Sequence, residues 1–340
     1  MAKHLIRLRR ERRHPADAGE WAPDLLDTWL RLFPESVPTE GLDREDWVEQ
    51  EAGFIHAFET LGTDYEILAR SERGGFVSTT SDFIAEGDGE AAFFHVGITA
   101  MDQMEGVGRK LPLQTPKALG RIGEHATSET FRARAGREMI LVRPDRAEIE
   151  AAVLRIAPEG GPIFIKSIRK SFAQVVDIEA GREAWPQICR QLDGIEWDLV
   201  QFDGNQSPIY SIQGAIRPTF EYRMFMVDHV PVTGAGCVEH FTPLENKRAF
   251  DPKMEEVRNQ SDVTEQDDLV VRYRRFAADF GRTFAEETGI PMAYSLDLCV
   301  DAATGEIVPI ELNPPLNLGR YASRLEAWIT AVDEAMERAS

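Results

Sequence analysis

The chain has 340 residues, 43% hydrophobic and 28% charged, an ordinary globular balance and enough chain for two or three domains. Its formal net charge of -20 excludes a bulk surface that attracts nucleic acid or anionic membrane. Any polyanion it handles must meet positive charge held locally in a site. No run approaches the roughly 18 apolar residues that a membrane span needs.

Lys3 to Arg13 is basic, but no apolar core follows it, so it does not read as a secretory signal. The expectation is a surface strand or tail. Cys189, Cys237 and Cys299 lie far apart in apolar contexts without metal-ligand spacing, which fits three small buried thiols in a reducing cytoplasm.

In chain order, Leu25, Leu26, Trp29, Leu30 and Phe33 recur at helical spacing over 24–33, and Pro34 stops the run. Trp47, Ala52, Ile55, Phe58 and Leu61 repeat the pattern over 44–61, ending at Gly62. Tyr65 to Ala69 and Ala91 to Ile98 read as strands. This first third, 1–110, is expected to be a mixed α/β domain and carries no catalytic constellation.

The stretch from Lys110 to Arg137 is basic and rich in Pro, Gly, Ser and Thr, with a helix expected from Pro116 to Ile122. A strand at Met139 to Val142, an amphipathic helix at Arg146 to Ile156 and a strand at Ile163 to Ile165 form an α+β unit. That strand runs into Lys166, Arg169 and Lys170. A lysine leaving a buried strand suits a phosphate, and a basic loop after it can close over one. A strand follows at Gln174 to Ile178, then a helix at Trp185 to Leu192 and a short strand or linker at Tyr210 to Ala215.

Glu221 to Val227 alternates, with Glu221, Arg223 and Phe225 on one face and Tyr222, Met224 and Met226 on the other. Asp228-His229 makes its turn, and Val230 to Val238 returns. Asn246-Lys247-Arg248 adds positive charge in a loop, Asp267 to Thr288 is a long helix, and Leu325 to Met336 a closing one.

The most informative stretch is a hairpin: Tyr294 to Val300, a turn at Asp301 to Gly305, then Ile307 to Leu312. Glu311 and Asn313 share a face, and the hairpin can bring Asp297 beside them. Acidic residues set between Leu296 and Leu298, and between Ile310 and Leu312, need a partner or a metal. Two carboxylates and an amide oxygen suit Mg²⁺. There is no Walker A, HExxH or GxSxG pattern.

Taken in order, Ile163 to Phe172, Glu221 to Asp228 and Asp297 to Asn313 resemble the ATP-grasp superfamily over roughly the C-terminal two-thirds of the chain. The resemblance implies an α+β fold of two subdomains clasping ATP, at 111–210 with a lid and at 211–340 with the metal site, preceded by the mixed α/β domain. It implies ATP and Mg²⁺ as cofactors. Lys166, Lys170, Glu221 and Arg223 would bind the nucleotide, and the backbone around Gln213 would read adenine. Asp297, Glu311 and Asn313 would hold the metal. Arg223, Lys170 and Arg320 would serve the chemistry, and Asn317, Gly319, Arg320 and Tyr321 would receive a substrate carboxylate.

The chain departs from the pattern at Ser295, where many relatives have arginine, so Arg223 or Arg320 would supply that charge; Lys117 and Arg121 are candidates for an upstream phosphate cation. The implied activity is an ATP-dependent carboxylate–amine ligase joining small-molecule or peptide substrates through an acyl phosphate. A phosphotransferase (kinase) and a non-catalytic nucleotide-binding regulatory module are the alternatives.

Overall fold

The computed structural model describes residues 3–7, 46–70, 76–78, 91–95, 111–168, 173–192, 194–201, 209–238, 241, 243–256, 263–317 and 319–339. The helix expected at 24–33 and the basic loop at 169–172 lie outside them, as does the end of the strand expected to reach Ile98.

In the first sheet, β1 (Lys3–Arg7) lies between β2 (Tyr65–Arg70) and β4 (Ala92–Phe94), parallel to both, and β3 (Phe76–Ser78) pairs with β2. Parallel neighbours need a crossover, and helix α1 (Asp46–Leu61) lies in the one from β1 to β2. Gly62, at φ +66°, ends it. The expectation of a surface strand or tail fails at β1. His4, Leu5 and Ile6 are fully buried, because an inner parallel strand is covered on both faces; the flanking charges hid a three-residue core segment.

Helices α2 (Pro116–Gly123) and α3 (Glu129–Arg134) carry local start signals. Thr115 Oγ1 accepts from Ala118 N at 3.1 Å with Pro116 in the first turn, and Ser128 Oγ accepts from Phe131 N at 3.1 Å. Next come β5 (Met139–Val142), α4 (Arg146–Ile156), β6 (Gly161–Ser167), β7 (Ala173–Ile178), α5 (Ala184–Gln191), α6 (Ile195–Gln201) and β8 (Tyr210–Gly214). The strands make an antiparallel sheet in the order β5-β8-β6-β7. Its back face, with Ile163, Ile165, Val176 and Ile212, packs against Ile149 and Val153 of α4 and Ile188 of α5.

The third sheet is antiparallel, in the order β10-β9-β13-β14, from β9 (Pro218–Val227), β10 (Val230–Gly236), β13 (Ala293–Asp301) and β14 (Ile307–Asn313). Asp228 and His229, at φ 48° and 65°, form the tight turn between β9 and β10. A ribbon of β11 (Lys253–Glu255) and β12 (Val263–Glu265) precedes the long helix α7 (Asp267–Thr288), and helix α8 (Leu325–Ala339) closes the chain.

Alternation splits the third sheet into two roles. Tyr222, Met224, Met226, Tyr294, Leu296 and Leu298 face Tyr273, Phe280 and Phe284 of α7. On the other face Phe225, Val227 and Ala293 pack against Trp328 of α8 and Phe54 and Phe58 of α1. Farther along that second face stand Arg223, Asp297 and Glu311, in register across the three strands: Asp297 is opposite both Arg223 and Glu311. Beyond that pair the register shifts, so that Leu298 faces Pro309 and Ile310 is the extra residue of a bulge.

Candidate active site

The hairpin does what its spacing predicts. Asn313 stands opposite Ser295 as Glu311 does Asp297, and the three polar side chains meet. Asn313 Nδ2 donates to Asp297 Oδ2 at 3.0 Å and to Glu311 Oε1 at 2.8 Å, so the two carboxylates converge on one point. Ser295, where an arginine was expected, donates from Oγ to Asp297 Oδ1 at 3.2 Å. The donor set is hard and all-oxygen once the Asn313 amide presents its oxygen, and it fits Mg²⁺. Among the described residues no group of three or more His, Cys, Asp or Glu side chains gathers as a metal site. The fit therefore rests on two acids and an amide.

Arg223 binds Asp297 as a fork, Nε to Oδ1 at 2.8 Å and Nη2 to Oδ2 at 2.7 Å, while Nη1 donates to Gly319 O at 3.1 Å. Its Cζ lies 5.3 Å from the centre of the Tyr321 ring. Burial alone would lower the Arg223 pKa, but the Asp297 carboxylate outweighs it and holds the pKa well above the usual arginine value. Lys166, at the end of β6 on the second sheet, donates to Glu311 Oε2 at 2.7 Å. A lysine on one sheet thus faces the Glu311 carboxylate on the other.

A cleft runs from this pair toward the strand end of β8. Phe164, Val175, Ile216 and Ile310 form its apolar walls, Arg137, Lys166 and Glu221 its charged lining, and Gly214 and Ala215 its backbone edge. The bulge accounts for Ile310: as the extra residue of the strand it lines the cleft.

The remaining sequence-predicted residues fall as follows. Glu221 lines the cleft. Gln213 pairs with Met139 on one side and Phe164 on the other, so its backbone belongs to the sheet, and the cleft edge comes one to three residues later. Arg320 is fully buried, its Cζ 4.4 Å from the Trp328 ring centre and 4.7 Å from that of Phe225. Burial first, and Arg223 second, push its pKa down to about 9, and its Nε and Nη1 have no hydrogen-bond partner among the described residues. Lys117 and Arg121 are exposed on α2. Lys170 and the Asn317 side chain lie outside the described residues.

Arg137 escaped the sequence reading. It precedes β5 in a stretch with several basic residues, and no local pattern sets it apart; only packing brings it to the cleft. The expectation of three buried thiols holds for Cys299 alone; Cys189 and Cys237 are only partly buried, and no disulfide joins the three.

No protein-family profile matches the sequence, and no curated protein matches it. Solved structures do. The chain superposes on D-alanyl-alanine synthetase A from Vibrio cholerae O1 biovar eltor with a TM-score of 0.51 at 10% identity, covering 99% of this chain and 99% of that one. It superposes on D-cycloserine synthetase DcsG with a TM-score of 0.52 at 16% identity, covering 87% of this chain and 95% of that one. With the order of strands and side chains described above, these likenesses establish the architecture: the chain has the ATP-grasp fold.

Proposed function

We propose that the protein is an ATP- and Mg²⁺-dependent ligase that joins a carboxylate to an amine, on amino acids or peptides. The observation that carries this reading is the facing of Lys166 and Glu311 across the mouth of an apolar cleft, with Asp297 and Asn313 beside them. Support comes from two proteins of the same fold whose names describe synthetases of a dipeptide and of an amino-acid derivative.

Asp297, Glu311 and Asn313 would hold Mg²⁺, which offsets phosphate charge when bound. Lys166 exchanges its Glu311 partner for a phosphate oxygen. Arg223 cannot swing freely, because its fork is fixed on Asp297 and Gly319 O, so it holds positive charge at a constant place as phosphate moves. A substrate carboxylate oxygen takes the γ-phosphoryl group as the bond to ADP breaks. An amine then attacks the carbonyl carbon, phosphate leaves with that oxygen, and the nitrogen loses its proton. Positioning and charge carry this chemistry, with no protein nucleophile. Arg320, expected to serve the chemistry and receive a substrate carboxylate, is instead fully buried against Trp328 and Phe225 and is closed to substrate.

The test is Mg-ATP turnover with pools of amino acids and peptides, following ADP, phosphate and product mass. A product lighter by one water than its two parts is expected, and Glu311→Gln abolishes it. A stable phosphate ester in place of an amide would overturn the ligase reading, as would wild-type turnover in Glu311→Gln.

A further inference from the structure

The two strand ends of the cleft differ in chemistry. Lys166 faces Ser211 across β6 and β8, whereas Phe164, two residues earlier on the same face, faces Gln213, next to the cleft edge at Gly214. The phosphate-suited lysine therefore marks one end, and the apolar Phe164, Val175, Ile216 and Ile310 the other. Arg137 belongs to the apolar end. Its Nε donates to Gln213 Oε1 at 2.8 Å, and its Nη1 to Ala135 O at 2.9 Å and, at 3.4 Å, to Pro309 O. Gln213 is held in turn, because its Nε2 donates to Ser211 Oγ at 2.9 Å.

These acceptors lie on three elements: the strand that leads to the cleft edge, the end of α3, and the bulged strand that carries Glu311. Gly136 permits the approach to β14. It sits at φ +66°, and a Cβ there would come within 2.5 Å of Val308 Cγ1. The guanidinium is thus fixed on two edges, and its Nη2 makes no hydrogen bond among the described residues. Burial pulls its pKa below the usual arginine value. Such a group gains most from an acceptor brought by a ligand, since arginine donates and never accepts.

We propose that Arg137 reads the base of the bound nucleotide, donating from Nη2 to a ring nitrogen of the purine while its other nitrogens fix the distance between the base end and the metal strand. The inference rests on the nucleotide reading of the cleft given above. It makes Arg137 a specificity-determining residue at the base, separate from the cations that meet phosphate.

The experiment measures dissociation constants by calorimetry for Mg-ATP and its 1-deaza, 3-deaza and 7-deaza analogues, each lacking one ring nitrogen. In the wild-type protein one analogue binds about tenfold or more weakly than ATP, the scale of a hydrogen bond to a charged group. In Arg137→Met that difference disappears, and Arg137→Lys restores part of it. A purely structural arginine would weaken ATP and every analogue alike. ATP binding with no analogue discriminated, or discrimination that persists in Arg137→Met, overturns the assignment and leaves the ligase reading standing. Failure of ATP itself to bind the wild type overturns both.

Discussion

Replacing Arg223 by methionine removes the charge that compensates the buried Asp297 carboxylate. The side chains of Arg223 and Asp297 are 12% and 7% exposed and share two hydrogen bonds of 2.8 and 2.7 Å. Taking away one member of such a pair costs about 3–5 kcal/mol, because the other is left buried and uncompensated. Ser295 and Asn313 still donate to Asp297 at 3.2 and 3.0 Å, which puts the expected loss near the lower end, about 3 kcal/mol. Asp297→Asn strands the guanidinium instead, with Gly319 O and the Tyr321 ring as remaining partners, at a similar cost. The double variant removes both charges, so it loses less than the sum, with a coupling of about 2 kcal/mol or more. Urea unfolding of the four proteins reads this directly from midpoints at constant slope. A coupling below about 0.5 kcal/mol would refute the reasoning, because the fork would then be a coincidence of position and not a compensated charge.

Three further outcomes follow from the geometry. Lys166→Met leaves the fold intact, since its 2.7 Å bond to Glu311 lies at the cleft, but weakens Mg-ATP binding about tenfold or more; an unchanged dissociation constant sinks the phosphate role. Gly136→Ala forces a left-handed residue and a 2.5 Å approach to Val308 Cγ1, and is expected to lower stability by about 1–3 kcal/mol; an unchanged unfolding midpoint would show that β14 does not press on this turn. Burial pushes the Cys299 thiol up to about 12, so the folded chain keeps it neutral where the unfolded chain ionises. That contribution is complete below the unfolded value and is lost as pH rises toward about 12, so Cys299→Ala should flatten the alkaline fall in stability. A fall as steep in the variant contradicts the assignment.

The charged cluster on the third sheet was legible because its residues break a local rule. Asp297, Glu311 and Arg223 sit where an apolar strand has no use for charge, and the strand period of two is enough to place each on a definite face. The long helix α7 was legible for the converse reason, since its apolar residues keep one period over 22 residues. What stayed hidden depended on contacts distant in sequence. Arg137 reaches the cleft only because Gly136 turns left-handed against β14, and a Gly beside an Arg in a polar stretch carries no such signal. The bulge at Ile310 depends on pairing with β13. β1 was misread because three buried residues between charges are too few to show a period. Helices α3 and α6, of 6 and 7 residues, went unseen because so few residues complete barely two turns.

One face of the third sheet serves as core at one end and as site at the other, and this division explains why the site can be both charged and fixed. Phe225 and Arg223 are two residues apart on β9 and point the same way. Phe225 meets Trp328 of α8 edge-on at 5.8 Å between ring centres, whereas Arg223 meets Asp297, Gly319 O and the Tyr321 ring. The packed end sets the positions of all three strands, so the charged end inherits that order. Loosening the packed end should therefore reach the chemistry at a distance. Trp328→Ala removes a fully buried side chain and the indole donor to His95 Nδ1 at 3.3 Å, at a cost of about 3–5 kcal/mol. If the strands position the site, turnover falls by more than nucleotide affinity, because Arg223 and Asp297 lose their alignment while the cleft walls at Phe164 and Ile310 do not depend on Trp328 packing. Equal losses in both would mean that the cleft loosens as a whole, and that the shared face has no privileged role in holding the charges.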